Sequence, residues 1–157
     1  MCIRDRILAQ NPELLILDDF SLGLDPGYRR LFVDYLRDYA RSENKTVFLT
    51  SHIIQDMERL IDDCIIMDYG SILIQQPIET LMKELRRYTC AVPEGYQPQL
   101  PETCYHPAVI RQTLETYSFL PPMDVEKLLK ESQVPFTGLQ HENVSLEDAF
   151  IGLTGKY

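Results

Sequence analysis

The sequence predicts an α/β fold built on a parallel sheet, followed by a small α+β extension. Three observations lead to this prediction. Short apolar runs recur along the first half, segments with helical apolar spacing separate them, and the composition changes after Val92. The order strand, helix, strand, helix, strand is typical of a parallel sheet whose faces are covered by helices.

The first predicted strand covers residues 14–18, where four apolar residues end in an aspartate, as in a buried parallel strand. Asp25 and Pro26 then predict a helix start, because Asp can cap and Pro suits the first helical position. The predicted apolar face of this helix consists of Tyr28, Leu31, Phe32, Tyr35, Leu36 and Tyr39.

The next elements continue the alternation. We predict a buried strand at 46–50, a helix with Met57, Leu60 and Ile61 on one side, and a strand at 64–67. A turn then leads to a strand at 72–74, expected to be antiparallel, and to a helix from Pro77 to about Arg87.

The second half begins with a proline-rich stretch, since six of the ten prolines lie between Pro93 and Pro122. This composition predicts a loop or linker. Beyond it we expect strands at 113–119 and 136–140, and helices at 123–132 and 146–153, the last capped by Ser145.

Charge and composition exclude some classes of function. The net charge is −9, and residues 1–87 (11 basic, 15 acidic) and 88–157 (4 basic, 9 acidic) are both acidic, which argues against a nucleic-acid partner. No run approaches the roughly 18 apolar residues that span a bilayer. Four cysteines without paired spacing favour a reduced, cytosolic protein, with a Cys90–Cys104 bridge as the alternative.

Asp18 and Asp19 are the first candidate functional residues. Ligands gather at the carboxyl ends of parallel strands, where one carboxylate can hold Mg²⁺ and a second can orient or deprotonate water. The alternative is an acidic pair that only ends a strand or caps a turn. Two further candidates have similar alternatives, because Asp25 can be a simple helix cap and His52 a hydrogen-bonded strand-end histidine.

A family resemblance emerges when these segments are taken together. Residues 11–19 resemble the helix-to-Walker B passage of ABC ATPases, residues 21–26 (Ser-Leu-Gly-Leu-Asp-Pro) resemble the D-loop, and Thr50-Ser51-His52 resembles the switch-histidine motif. Residues 62–72 resemble the strand, turn and strand that follow. Residues 144–155 are similar to the tail of exporter subunits. Order and spacing together make the resemblance specific.

The resemblance implies a partial P-loop NTPase fold of the ABC type and a role for each site residue. Asp18 would bind Mg²⁺ through water, Asp19 would stand at the position of the catalytic base, and His52 would contact the γ-phosphate of ATP. Ser21, Gly23 and Asp25 would belong to a loop that contacts nucleotide across a dimer interface. The implied cofactors are ATP and Mg²⁺.

The implied partners are a membrane permease and a second ATP-binding subunit, with the protein on the cytoplasmic face of the cell membrane. The tail favours an exporter. On this basis we expect residues 7–87 to be the C-terminal part of a nucleotide-binding domain and residues 88–157 to be an accessory or regulatory extension. Residues 1–6 match nothing in the family and are expected to be a non-native junction.

The sequence departs from the family pattern in two ways. Asp19 stands where the family has glutamate, and a misplacement of about 1 Å can cost roughly 100-fold in rate. Phe20 replaces the usual proline. In addition, the sequence contains neither G-x-x-x-x-G-K-S/T nor a Leu-Ser-Gly-Gly-Gln-like signature. We therefore expect this chain to be a fragment that is inactive as an ATPase by itself.

Two other functions stay open at this point. A receiver-type signalling domain would use the same acidic pair, with Asp68 at the end of the third strand as phospho-acceptor. A non-catalytic interaction module would use the extension from residue 88 to bind or regulate a partner.

Overall fold

The computed structural model describes residues 8–20, 22–55 and 57–155. The chain divides into two compact units, the first ending at Ile61 and the second beginning at Asp62. The predicted division between residues 87 and 88 falls inside a strand, Arg86–Ala91. The expected junction at residues 1–6 lies outside the described residues.

The first unit contains strand β1 (Leu14–Leu17), helix α1 (Pro26–Ser42) and strand β2 (Thr46–Leu49). β1 and β2 are parallel, with Leu14 opposite Thr46 and Leu17 opposite Leu49. α1 begins as the sequence predicts: Pro26 opens it, and the Asp25 side chain accepts hydrogen bonds from the amides of Gly27 and Tyr28.

The β1–β2 pair has one buried and one exposed face. Leu15 and Leu17 are buried, whereas Leu14, Ile16 and Phe48 are all more than half exposed. A continuous apolar run predicts burial on both faces. In the described chain this expectation holds for one face only.

Helix α1 buries a different stripe from the one predicted. Val33 and Leu36 are buried, while Tyr28, Leu31 and Tyr35 are exposed. The predicted face was therefore wrong by a rotation about the helix axis. Aromatic residues at helical spacing outweighed Val33 in the prediction, whereas the smaller β-branched side chain is the one at the centre of the contact.

Two predictions for the following segment are also wrong. The expected helix at Met57–Ile61 is only a 3₁₀ turn, Met57–Arg59. The expected third parallel strand, β3 (Asp63–Asp68), instead pairs antiparallel with β4 (Ser71–Pro77) in a two-stranded sheet of its own. Within the described residues, parallel pairing is confined to β1 and β2.

The rest of the second unit is an α+β structure. Helix α2 (Ile78–Glu84) is shorter than predicted, because the chain becomes extended at Leu85 and continues as strand β5 (Arg86–Ala91). There follow β6 (Tyr105–Ile110), β7 (Thr113–Ser118), α3 (Pro122–Glu131), β8 (Thr137–Asn143) and α4 (Leu146–Thr154). The four strands form an antiparallel sheet in the order β6-β7-β5-β8.

The core of this unit lies between the sheet and α3. Val125 and Leu129 of α3 join a cluster of buried side chains from β5, β7 and their loops, namely Tyr88, Cys90, Val92, Leu114 and Val134. Apolar burial of this kind stabilises by about 25 cal/mol per Å². The sequence predicted α3, β7, β8 and α4 to within a few residues, but it missed β6 and placed most of β5 outside any strand.

Polar groups gather on the other face of this sheet. Arg87 forms an ion pair with Glu142 and lies 4.0 Å from Glu115. Burial and the neighbouring Glu115 carboxylate raise the pKa of Tyr117 to about 12. Cys64, Cys90 and Cys104 are free and buried, in keeping with the expected reduced state. Among the described residues, no helix is both long and apolar enough to cross a bilayer.

Candidate functional site

The candidate site lies in the first unit, where the two parallel strands end. Past the last paired residues the strands stay hydrogen-bonded: the Thr50 amide donates to the Leu17 carbonyl (2.9 Å), and the Asp19 amide donates to the Thr50 carbonyl (3.1 Å). Parallel pairing therefore brings the acidic pair after β1 beside the Thr50–His52 segment after β2.

Asp19 and His52 are in direct contact. Asp19 Oδ1 lies 2.7 Å from His52 Nδ1, and the same oxygen lies 3.4 Å from the His52 amide nitrogen. The two side chains are 43% and 60% exposed. The carboxylate holds one ring nitrogen, so the imidazole is oriented while remaining open to solvent or to a ligand.

Asp18 is exposed and is tied to the neighbouring strand by its side chain, since its Oδ1 accepts a hydrogen bond from the Thr50 hydroxyl. Asp19 has a left-handed backbone with φ of 43°, which is uncommon for a residue with a side chain. The Leu22 amide donates to the Asp19 carbonyl (2.9 Å), which closes a turn directly after the acidic pair.

The loop after the acidic pair is anchored by Phe20, which is buried with its ring centre 5.5 Å from that of Phe32. Ser21, one of the predicted cofactor-binding residues, lies outside the described residues. Gly23 is exposed and has a φ of 78°, a conformation that suits glycine.

Asp25, the third predicted loop residue, acts here as a helix cap. Its Oδ1 accepts hydrogen bonds from the amides of Gly27 (3.0 Å) and Tyr28 (3.2 Å). The structural alternative given for Asp25 is thus present. A capping interaction leaves open whether the loop also contacts nucleotide, and that role stays a prediction.

The residues present fit Mg²⁺ only as part of a larger ligand set. Asp18 offers a carboxylate at an exposed strand end, the type of oxygen ligand that Mg²⁺ prefers. Among the described residues, no group of three or more His, Cys, Asp and Glu side chains could hold a metal ion. Mg²⁺ is commonly held by one or two carboxylates together with substrate phosphates, and Asp18 suits that arrangement.

Two surface clefts lie elsewhere. One of about 620 Å³ is lined by residues of the β5–β6 and β6–β7 connections, and one of about 230 Å³ by residues of β6, β7 and α4. Both belong to the second unit, and neither is lined by Asp18, Asp19 or His52. We base the site on the contacts of these three residues, because a cleft without convergent polar groups says little about chemistry.

Sequence reasoning missed one residue of the site. Thr50 appeared in the histidine motif but received no role, although its hydroxyl contacts both members of the acidic pair. The signal was present: Thr50 follows β2 at the position where Asp18 follows β1. In-register parallel strands place such residues side by side.

Chemically, this arrangement can bind a cation and orient a water molecule. An exposed carboxylate lies next to a carboxylate–imidazole pair, and both types of group serve as acid or base near neutral pH. Hydrolysis of a phosphate ester or anhydride needs mainly this kind of positioning and charge stabilisation.

By sequence, the chain is a relative of the ATP-binding proteins of ABC transporters. It is 33% identical, over 96% of its length, to the Nod factor export ATP-binding protein I of Ralstonia nicotianae. Identity to the protein of the same name from Rhizobium sp. is 32% over the same share of the chain. The energy-coupling factor transporter ATP-binding protein EcfA2 of Staphylococcus aureus is 35% identical over 59% of the chain.

These relatives are longer proteins. The chain covers 49% and 50% of the two Nod factor export proteins and 34% of EcfA2, so it spans about half the length of the relatives it matches almost end to end. No protein-family model matches the chain. The relationship confirms the family resemblance, and the mixed α/β structure agrees with it at the level of fold class.

Proposed function

We propose that this chain forms the part of an ABC transporter ATP-binding subunit that carries the magnesium-binding carboxylate, the catalytic carboxylate and the γ-phosphate-sensing histidine. The contact between Asp19 Oδ1 and His52 Nδ1, at 2.7 Å beside Asp18, is the observation that supports this proposal most directly. The whole subunit would bind MgATP at a dimer interface with a second subunit and drive a membrane permease from its cytoplasmic face. The similarity to Nod factor export proteins favours export.

Each residue has a defined task in this proposal. Asp18 would hold Mg²⁺ together with the phosphates of ATP. Asp19 would accept a proton from, or orient, the attacking water. His52, held by Asp19, would place its free ring nitrogen towards the γ-phosphate. Mg²⁺ would neutralise charge on the phosphate oxygens during hydrolysis.

The receiver-type alternative loses its main support. It needs Asp68 at the end of a third parallel strand, next to the acidic pair. β3, which ends at Asp68, pairs antiparallel with β4 instead.

The proposal can be tested with a chimera. Residues 8–155 would replace the matched half of the Ralstonia nicotianae relative, and MgATP binding and hydrolysis would be measured. We expect the chimera to hydrolyse ATP. Asp19→Asn and His52→Ala should each lower kcat by about 100-fold or more, because each removes a group that acts on the transferring phosphate or the water.

Asp62→Asn, an exposed aspartate of the second unit, is the matched control and should keep full activity. Full activity of both site variants in a folded chimera would contradict the proposal. A folded chimera that binds MgATP but hydrolyses it only after Asp19→Glu would contradict the catalytic part, and would identify an ATP-binding subunit that does not turn over.

A further inference from the structure

Thr50 connects the two strands of the candidate site more closely than any ladder residue does. Its amide donates to the Leu17 carbonyl (2.9 Å), and its carbonyl accepts from the Asp19 amide (3.1 Å). These backbone bonds extend the parallel pairing by one residue on each side. They place the Thr50 side chain next to Asp18.

The Thr50 hydroxyl then makes two bonds that no other group in the site can replace. It donates to Asp18 Oδ1, and it accepts from the Asp19 amide, 3.2 Å away. A hydroxyl carries one donor and two acceptor sites, so one oxygen can serve both partners at once. The side chain of Asp18 and the backbone of Asp19 are thereby held by the same atom.

The backbone conformation of Asp19 gives the second bond its importance. A φ of 43° is disfavoured for residues with a side chain and persists only when neighbours hold it in place. The amide of Asp19 is held by both oxygens of Thr50, and its carbonyl accepts from Leu22. With the backbone held this way, the Asp19 carboxylate reaches the ring of His52.

We propose that Thr50 is a positioning residue of this site, whose hydroxyl fixes the Asp18 carboxylate and holds Asp19 in the conformation that meets His52. The geometric part concerns the chain by itself. The consequence for ATP hydrolysis rests on the proposed function. Thr50 need not touch ATP or Mg²⁺, because it acts through the two aspartates.

The first test uses the 157-residue chain and NMR. Thr50→Val keeps the shape but removes the hydroxyl, and Thr50→Ser restores it. We expect Thr50→Val to speed hydrogen exchange of the Asp19 amide by about 10-fold, as a lost hydrogen bond would. We also expect the ¹⁵N shifts of the His52 ring, assigned with His52→Gln, to move towards those of Asp19→Asn. Thr50→Ser should return both signals to the wild-type values.

Thr46→Val is the matched control, since Thr46 is an exposed threonine at the other end of β2. It should leave the Asp19 amide and the His52 ring unchanged. Unchanged signals in Thr50→Val, or equal changes in Thr46→Val, would overturn the positioning role.

The second test measures kcat and KM in the chimera. Thr50→Val should lower kcat by about 10-fold with little change in KM for MgATP, and Thr50→Ser should stay close to wild type. A changed NMR signature with an unchanged kcat would make Thr50 purely structural and overturn the proposal. A wild-type chimera without hydrolysis would contradict the proposed function instead, and the NMR test would still decide the geometric role of Thr50.

Discussion

At the scale of single residues, close packing sets requirements that the sequence does not display. Gly152 lies in the middle of α4, where glycine is ordinarily less favourable than alanine. A Cβ built at this position would lie 2.4 Å from Cδ1 and 2.5 Å from Cγ of Tyr117. The ring of Tyr117, buried on β7, therefore occupies the space that a side chain at residue 152 would need.

We expect Gly152→Ala to destabilise the protein by about 1–3 kcal/mol, because overpacking outweighs the gain in helix propensity. Urea unfolding followed by circular dichroism would measure the change. In a Tyr117→Leu background the same substitution should cost less, since the ring is gone. A stabilising effect of Gly152→Ala in the wild-type background would show that the helix and the ring can separate without loss.

The same scale explains why the candidate site was only partly predictable. Asp18, Asp19 and His52 could be identified because their residue types end apolar runs. The left-handed backbone of Asp19 and the bridging hydroxyl of Thr50 could not, because they depend on how two strands 30 residues apart are aligned. Spacing along the chain carries no direct information on such alignment.

At the scale of elements, helix ends are the best-determined features. Ser145 and Asp148 form a complete capping box at the start of α4. The Ser145 hydroxyl accepts from the Asp148 amide (3.1 Å), and the Asp148 carboxylate accepts from the Ser145 amide (3.3 Å). Both partners are local in sequence, so a cap at Ser145 could be predicted from the residues alone.

Loss of this cap should destabilise α4. We expect Ser145→Ala to cost about 1 kcal/mol and to increase hydrogen exchange in the first turn of the helix by roughly fivefold. Ser145→Asn keeps an acceptor and serves as the control, with exchange near the wild-type rate. Equal acceleration in both variants would mean that Ser145 acts through something other than its cap.

Elements whose partners are distant were predicted less well. β6 was missed because Pro107 and His106 interrupt its apolar pattern, and proline cannot donate to a ladder. The helix predicted to reach Arg87 ends at Glu84 because Tyr88 and Cys90 alternate into the core of the sheet. In both cases a tertiary contact, absent from the local sequence, decides the element.

At the scale of the whole molecule, the strands of the first unit present a surface that a lone domain rarely carries. Ile16 (70% exposed) and Phe48 (54% exposed) are direct cross-strand partners on the same face, with Leu14 beside them. Leu15, between Leu14 and Ile16, is 1% exposed. Exposed apolar strand faces promote self-association, which a net charge of −9 opposes only partly.

Neighbouring substitutions on β1 should therefore have opposite effects. Ile16→Thr keeps a β-branched side chain and removes apolar surface from solvent, so we expect weaker concentration-dependent light scattering and a change in unfolding free energy within about 1 kcal/mol. Leu15→Thr leaves a cavity and a buried hydroxyl, and should cost about 2–5 kcal/mol. Light scattering and urea unfolding on the same samples would measure both. If Ile16→Thr destabilised the chain as much as Leu15→Thr, both faces of β1 would be buried in solution and the chain would already be self-associated through this surface.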